Sequence, residues 1–274
     1  MYLMTNNLKI KPDIKNKNLV KHVKGVDQTG AHYEQTVVME RPLTIFLNNQ
    51  EIVTCMTVGD RPEWLALGFL INQGMISKRD KVISIDVDWE IETAVVRTSK
   101  ITNYEEKIKK KIRTSGCGVG TMFSDVMDNF EKVKLDKDAV IKVSWISKML
   151  KMINTEPSLY LKAGAIHGCV LCEKDQPIIY LEDVGRHNAL DKISGWLWNN
   201  KKNVSNMILY TTGRLTSEMI IKTVQMGIPI LISRSGFTAA GVELAIKSNL
   251  TLIGRAKGKR FIALSGLDRI LFEE

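Results

Sequence analysis

The chain has 274 residues, of which 44% are hydrophobic and 25% are charged, a composition that excludes a disordered, collagen-like or low-complexity chain. The longest uncharged stretch, residues 64–77, is shorter than the roughly 20 apolar residues of a membrane helix, and no apolar signal segment opens the chain, so we expect a cytoplasmic protein without a membrane span. Thirty-nine Lys and Arg against 30 Asp and Glu give a net charge of +9, which favours binding of phosphate-bearing ligands.

The N-terminal part of the chain predicts a basic tail followed by a small domain. Six of the first 24 residues are lysines, and we interpret residues 1–33 as a flexible, solvated tail. Beyond it, β-rich segments separated by turn residues predict two hairpins, over 36–57 and 81–98. Asp60 has the side chain of a helix N-cap and predicts a short buried helix between the hairpins. These elements make residues 34–135 a small α+β domain.

A glycine-rich loop in this domain carries Cys117, which is flanked by Gly116 and Gly118. Three glycines within five positions exclude a stable helix, so the thiol is expected on an adjustable and accessible loop. Basic side chains at 109–113 favour the thiolate over the thiol. Cys117 is therefore the best candidate for a nucleophile that carries sulfur.

Strand and helix patterns alternate in residues 136–274. An antiparallel hairpin over 165–181 is followed by helices and strands in alternation, up to a strand over 250–254. Helices of about ten residues between strands imply right-handed crossovers and a mostly parallel sheet. We therefore predict an α/β protein, in which this larger α/β domain follows the smaller α+β domain.

The predicted strand ends of the α/β domain combine glycine with basic side chains. The candidate ligand-binding residues at these junctions are Arg186, His187, Arg214, Arg234, Arg255, Ala256, Lys257, Gly258, Lys259 and Arg260. Ligands of open α/β sheets bind at the carboxyl ends of strands, where helix N-termini offer free N–H groups and arginine binds phosphate oxygens. Four such junctions together predict an extended polyanionic ligand, such as a nucleotide. The alternative for a single arginine is an ion pair with a neighbouring acid, and for His187 a capping role or proton transfer.

The remaining cysteines lie in apolar segments. Cys55 is assigned to the core of the first domain. His167, Cys169 and Cys172 form the pattern H-G-C-V-L-C, which raises the question of a metal site. A strand directs residues three apart to opposite faces, so core cysteines are the main interpretation, and a structural zinc site is the minor one. No metal is predicted.

Several of these segments are shared with one known family. They are Glu40 to Leu43, Leu67 to Leu70, Ser115 to Gly118, Glu182 to Lys192, Thr212 to Arg214 and Gly254 to Arg260. Through them the sequence closely resembles the FdhD/NarQ family, the sulfurtransferase accessory proteins of formate dehydrogenase. The eleven-residue run EDVGRHNALDK is specific, whereas the shorter segments are weak on their own.

The resemblance implies a function and a site. It implies that Cys117, as the catalytic residue, accepts persulfide sulfur from a cysteine desulfurase and passes it to the molybdenum cofactor, bis-molybdopterin guanine dinucleotide. The recipient would be the catalytic subunit of formate dehydrogenase. Residues 255–260 would bind the cofactor, with guanine nucleotides as mimics, and its two dinucleotide arms favour a homodimer. For residues 136–274 the resemblance implies a three-layer fold similar to cytidine deaminases, without the zinc ligands and the glutamate that deamination needs.

One position departs from the family pattern. The family usually has C-x-x-C in the glycine-rich loop, whereas this chain has Gly120 at the fourth position. Cys169 or Cys172 could replace the missing sulfur, which we state as a hypothesis. The departure keeps open a non-catalytic chaperone that binds the molybdenum cofactor for formate dehydrogenase, and a zinc-bound regulatory module is a further alternative. A nucleic-acid binder is the weakest alternative, because no regular aromatic platform accompanies the positive charge.

Overall fold

The computed structural model describes residues 8–77, 79–99, 112–114 and 120–273, and of residues 112–114 and 120–126 it describes the backbone only. The helices of this part are α1 (Pro62–Asn72), α2 (Phe123–Lys132), α3 (Val143–Thr155), α4 (Leu159–Ala163), α5 (Arg186–Asn200), α6 (Ser217–Met226) and α7 (Ala239–Lys247). The strands are β1 (Val20–Val26), β2 (His32–Val38), β3 (Arg41–Leu47), β4 (Gln50–Thr57), β5 (Val82–Asp88), β6 (Thr93–Thr98), β7 (Ile112–Thr114), β8 (Gly120–Met122), β9 (Ile141–Lys142), β10 (His167–Glu173), β11 (Gln176–Asp183), β12 (Met207–Thr211), β13 (Ile230–Ser233), β14 (Thr251–Lys257), β15 (Arg260–Ser265) and β16 (Ile270–Leu271). None of the helices in the described ranges has the length and apolar character of a membrane span.

A six-stranded sheet organises the second half of the chain, in the order β11-β10-β12-β13-β14-β15. The strands β12, β13 and β14 are parallel and are connected through α6 and α7, while β10 pairs with both β11 and β12 in the antiparallel sense. At the opposite edge, β15 returns antiparallel to β14. The predicted α/β class is confirmed, but the sheet is mixed rather than mostly parallel, because a hairpin closes it at each edge.

Helices cover both faces of this sheet. Along β12, Leu209 belongs to the apolar core under α5 and α6, while Ile208 and Tyr210 belong to the core under α3. This alternation follows from the pleat of a strand, which directs successive side chains to opposite faces. Because both faces are covered, the central strands are continuously apolar, as in other α/β proteins.

A second, smaller sheet with the order β4-β3-β6-β5 forms the first half, and α1 packs on it. The predicted hairpins over 36–57 and 81–98 are observed as β3–β4 and β5–β6. The helix α1 also crosses α5 with backbone in contact, because Gly68 and Gly195 have no Cβ at the crossing. This crossing joins the two halves of the molecule.

The interpretation of residues 1–33 as a flexible tail is corrected for the described residues 8–33. The strands β1 and β2 form a hairpin, the Lys9 N–H donates to the Ile178 carbonyl at 2.7 Å, and Leu19 is buried. The lysines are compatible with this order because nearly all side chains of β1 face solvent. The predicted domain boundary after residue 135 stays a prediction, and Phe130 and Leu135 pack into the core of the larger sheet.

Candidate functional site

A cleft of about 370 Å³ opens where the smaller sheet meets the first turn of α5. Its lining residues are Glu40, Thr54, Cys55, Met56, His167, Val184, Gly185, Arg186, His187 and Asn188. The helix α5 begins directly after β11, with Gly185 as its N-cap, so its first turn brings Arg186 and His187 into this cleft. Both side chains are buried. The cleft therefore joins a sheet edge, a helix N-terminus and two candidate ligand-binding residues.

Asp183 fixes the turn that connects β11 to α5. Its Oδ1 accepts hydrogen bonds from the Gly185 N–H at 3.2 Å and from the Asn188 side-chain amide at 3.0 Å. Its Oδ2 accepts a hydrogen bond from the Thr57 hydroxyl at 2.6 Å and lies 2.6 Å from the Lys192 ammonium. A buried carboxylate needs such partners, and this one is fully buried.

Lys192 is the cation of this network and is itself fully buried. Its ammonium also pairs with the Asp60 carboxylate and donates to the Glu182 carbonyl at 2.8 Å. Burial alone would lower the pKa of Lys192, but the charges of Asp183 and Asp60 raise it, so the side chain stays protonated. Asp60 is therefore an ion-pair partner of Lys192 and not the predicted N-cap of α1. The N-cap is Arg61, whose backbone is in the left-handed conformation.

The loops after β12 and β13 and the bulge of β14 lie side by side at the carboxyl edge of the parallel strands. The Leu215 N–H donates to the Gly236 carbonyl at 2.9 Å, and the Arg255 N–H donates to the Ser235 carbonyl at 2.8 Å. The side chains of Arg214 and Arg234 extend from these loops, that of Arg255 extends from the bulge, and all three are exposed; we call this set the arginine edge. Their part in ligand binding stays a prediction.

Arg255 has an unusual backbone conformation. Its φ of 52° lies in the left-handed region, at a bulge where the pairing of β14 with β15 shifts register. A Cβ added to Gly236 would lie 3.7 Å from the Arg255 guanidinium, so this side chain lies beside the loop after β13. The left-handed conformation costs a non-glycine residue about 1–2 kcal/mol. Bulges of this kind redirect a side chain, here toward the neighbouring strand end.

Residues 255–260 are not the predicted loop after the last strand. They form the hairpin between β14 and β15, in which Lys257 pairs with Arg260 across a turn that contains Gly258 and Lys259. Gly258 has a φ of 61°. The side chain of Ala256 is 2% exposed and packs in the core under α3, which removes it from any side-chain contact with a ligand.

The two histidines of the cleft are neutral at neutral pH. Burial, together with nearby cations, lowers the pKa of His187 to about 2, and the His187 Nε2 lies 3.2 Å from the Glu218 carboxylate. Burial and the positive charge of Arg186 also lower the pKa of His167, whose Nδ1 is 3.3 Å from the Thr212 hydroxyl. A neutral imidazole offers one donor and one acceptor, so both rings can bind a ligand without adding charge.

The glycine-rich loop with Cys117 lies outside the described residues, and three other cysteines are core residues. Cys169 and Cys172 are fully buried on opposite faces of β10. Burial raises the pKa of Cys55 and of Cys169 to about 12, and it raises that of Cys172 as well. A buried, protonated thiol is a poor nucleophile, which argues against the hypothesis that Cys169 or Cys172 replaces the second cysteine of the loop. Within the described ranges, no three potential metal ligands cluster.

Sequence reasoning missed the network around Asp183. Thr57 and Asp60 are more than 100 residues away from their partners in the chain, so no local pattern connects them. The one local signal is Lys192, a charged residue between apolar helix positions at Leu190 and Ile193, all three of which are buried.

The sequence pattern of the FdhD/NarQ family matches residues 38–271. The chain belongs to the FdhD/NarQ family. The predicted family resemblance is thereby confirmed.

Curated FdhD/NarQ relatives include the sulfur carrier protein FdhD of Bacillus subtilis, which is 30% identical over 242 residues, covering 86% of this chain and 91% of the relative. The sulfur carrier protein FdhD of Listeria monocytogenes serotype 4b is 29% identical over 240 residues, covering 86% and 92%. A crystal structure of a protein described as a formate dehydrogenase accessory protein from Desulfotalea psychrophila matches with a TM-score of 0.74 and 28% identity, covering 92% of this chain and 98% of that chain. The FdhD/NarQ match includes both the cleft and the arginine edge, and it excludes β1.

Proposed function

We propose that this FdhD/NarQ protein is a sulfur carrier that serves the maturation of formate dehydrogenase. The names of its relatives and of its structural neighbour support this role. In the loading step, the Cys117 thiolate attacks the outer sulfur of a persulfide on a cysteine desulfurase. A new sulfur–sulfur bond forms at Cys117, the bond within the donor persulfide breaks, and the desulfurase cysteine leaves as a thiolate.

The acceptor in this proposal is the molybdenum cofactor, bis-molybdopterin guanine dinucleotide, held as cargo at the arginine edge. The observation that carries this step is the state of three guanidinium groups. Within the described residues, Arg214, Arg234 and Arg255 form no ion pair, and the Arg234 guanidinium donates a hydrogen bond to the neutral amide oxygen of Asn154 at 3.4 Å. Exposed guanidiniums without carboxylate partners at the carboxyl ends of parallel strands suit the pyrophosphates of a dinucleotide.

The proposed cargo site is tested with GDP as a mimic of one cofactor arm. The variant carries Arg214→Gln, Arg234→Gln and Arg255→Gln. The control carries Lys21→Gln and Lys24→Gln on the exposed strand β1. We expect the first variant to bind GDP at least about tenfold more weakly, which corresponds to about 1.4 kcal/mol, and to lose most of the salt dependence of binding. Equal affinities of variant and control, measured by calorimetry, would remove the arginine edge from the site.

The carrier residue is tested by persulfide mapping with a cysteine desulfurase present. We expect mass spectrometry to find the added sulfur on Cys117, and Cys117→Ala to carry none while it still binds GDP. A persulfide on Cys55, Cys169 or Cys172 in this variant would show that Cys117 is not the only carrier. Loss of GDP binding would overturn the separation of sulfur loading from cargo binding.

A second candidate function is a non-catalytic chaperone that binds the molybdenum cofactor for the catalytic subunit of formate dehydrogenase. Gly120 in place of the second loop cysteine favours it, because no described cysteine is exposed to take over that sulfur. The two functions are separated by the alkylation rate of Cys117 against pH. A carrier requires a thiolate well below the ordinary thiol pKa of about 8.5. A homodimer remains part of the proposal and is measured by light scattering with and without GDP.

A further inference from the structure

We propose that Asp183 is a positioning residue that sets the turn between β11 and α5 and thereby places Arg186 and His187 in the cleft. This inference rests on the proposed function and extends its cargo site from the arginine edge to Arg186 and His187, because Arg186 packs against the loop that carries Arg214. Asp183 itself does not line the cleft, since its side chain is fully buried behind the lining residues Gly185 and Asn188.

The two oxygens of Asp183 have different partners. The Oδ1 atom bonds within the turn, to the Gly185 N–H and the Asn188 amide. The Oδ2 atom bonds outside the turn, to the Thr57 hydroxyl and the Lys192 ammonium. The shape of the turn therefore depends on Oδ1, whereas the balance of buried charge depends on Oδ2.

The turn is also held from the side of the smaller sheet and from the next strand end. The Asn188 amide donates to the Met56 carbonyl at 2.7 Å, so the group that Oδ1 holds is bonded to β4 as well. On the other side, a Cβ on Gly213 would lie 2.7 Å from the Arg186 Cβ, closer than real Cβ atoms approach. Arg186 thus packs directly against the loop after β12, and a loosened turn would move it away from this position.

The division between Oδ1 and Oδ2 allows a matched pair of variants. Lys192→Met combined with Asp183→Asn removes the buried charge pair but keeps an oxygen that accepts from Gly185 and Asn188. Lys192→Met combined with Asp183→Ala removes the same charges and also removes this acceptor. Because both variants leave Asp60 without its partner, this loss of stability is common to them and cancels in the comparison.

Two measurements apply to each variant: the exchange rate of the Gly185 amide by hydrogen–deuterium exchange, and the dissociation constant for GDP. We expect the variant with Asp183→Asn to resemble the wild type in both. The variant with Asp183→Ala should show faster Gly185 exchange and at least about tenfold weaker GDP binding. Equal exchange rates or equal GDP affinities in the two variants would overturn the inference.

Asn188→Ala provides a second test if the double variants fail to fold. It removes the amide that joins Oδ1 to the Met56 carbonyl but keeps the Gly185 bond and the pair of Asp183 and Lys192, so it should show both changes to a smaller extent and at higher stability. Unchanged exchange and affinity in this variant would overturn the inference as well. If the wild type itself does not bind GDP, the cargo site of the proposed function fails, while the Gly185 exchange rates still decide whether Asp183 positions the turn.

Discussion

The crossing of α1 and α5 is the contact most sensitive to one added methyl group. A Cβ on Gly68 would lie 1.7 Å from the Asp191 carbonyl oxygen, and a Cβ on Gly195 would lie 2.1 Å from the Trp64 carbonyl oxygen. Both neighbours are backbone atoms of a regular helix, which cannot turn aside as a flexible side chain can. Gly68→Ala therefore forces the two helices apart by roughly 1 Å at the crossing.

The expected loss of stability follows from what this separation strains. Overpacking a dense core costs about 1–3 kcal/mol, and we expect Gly68→Ala to lie at or above the upper end, at about 3 kcal/mol. The separation also stretches the buried hydrogen bond from the Asn72 amide to Asp191, which is 2.6 Å long. Breaking it leaves buried polar groups unsatisfied at a further cost of about 1–3 kcal/mol.

The assay is urea-induced unfolding of the full chain, followed by circular dichroism. The matched control is Gly25→Ala in β1, where an added Cβ meets no atom within 4 Å, and its free energy of unfolding should stay within about 0.5 kcal/mol of the wild type. If Gly68→Ala unfolds at the same urea concentration as this control, the close crossing of α1 and α5 is not what holds the two halves together.

Three further predictions concern Arg255, the two cysteines of β10 and Glu182. Arg255→Gly should leave the free energy of unfolding unchanged or raise it by up to about 1 kcal/mol, because glycine adopts the left-handed conformation without strain. Calorimetry should show weaker GDP binding by this variant. A lower free energy of unfolding would contradict the prediction. Cys169 and Cys172 should resist alkylation in the folded protein at pH 8 and react after unfolding, as judged by mass spectrometry; modification of the native protein would show that burial does not protect them. Burial raises the pKa of Glu182 from 4.5 to about 7, so between these pH values the native state binds more protons than the unfolded state. The free energy of unfolding of the wild type, relative to that of Glu182→Gln, should therefore fall by up to about 3 kcal/mol as the pH rises from 4.5 to 7. A difference that does not change with pH in urea titrations would refute it.

The sequence patterns predicted the regular part of the fold because that part depends on local periodicity. Apolar strands and helices alternate after residue 165, and a helix between two strands allows them to run parallel, which brings the carboxyl ends of β12, β13 and β14 to one edge. The position of Arg214, Arg234 and Arg255 at that edge follows from this parallel arrangement. The return of β15 was missed because the basic residues that begin it resemble a solvated loop.

The sequence-based predictions that the structure corrects have a common physical cause, which is pairing between segments distant in the chain. The strand β1 is ordered by pairing with β2 while its side chains stay in solvent, so its composition resembles that of a tail. Asp60 has the chemistry of an N-cap, yet its carboxylate pairs with Lys192, a residue 132 positions later. Such pairs leave no local pattern, because a buried ion pair is decided by the fold and not by its neighbours in the chain.

The helix α5 links these long-range pairs to the candidate site. Its first turn carries Arg186 and His187, its second turn carries Asp191 and Lys192, and Gly195 follows where α1 crosses. Because a helix moves as a rigid unit, the contacts of its middle with the smaller sheet and α1 also determine the position of its N-terminal turn. A displacement of α1, or a loss of charge balance at Lys192, would therefore reach the cleft through α5. The site is consequently built by both halves of the chain, although all of its candidate ligand-binding residues belong to the second.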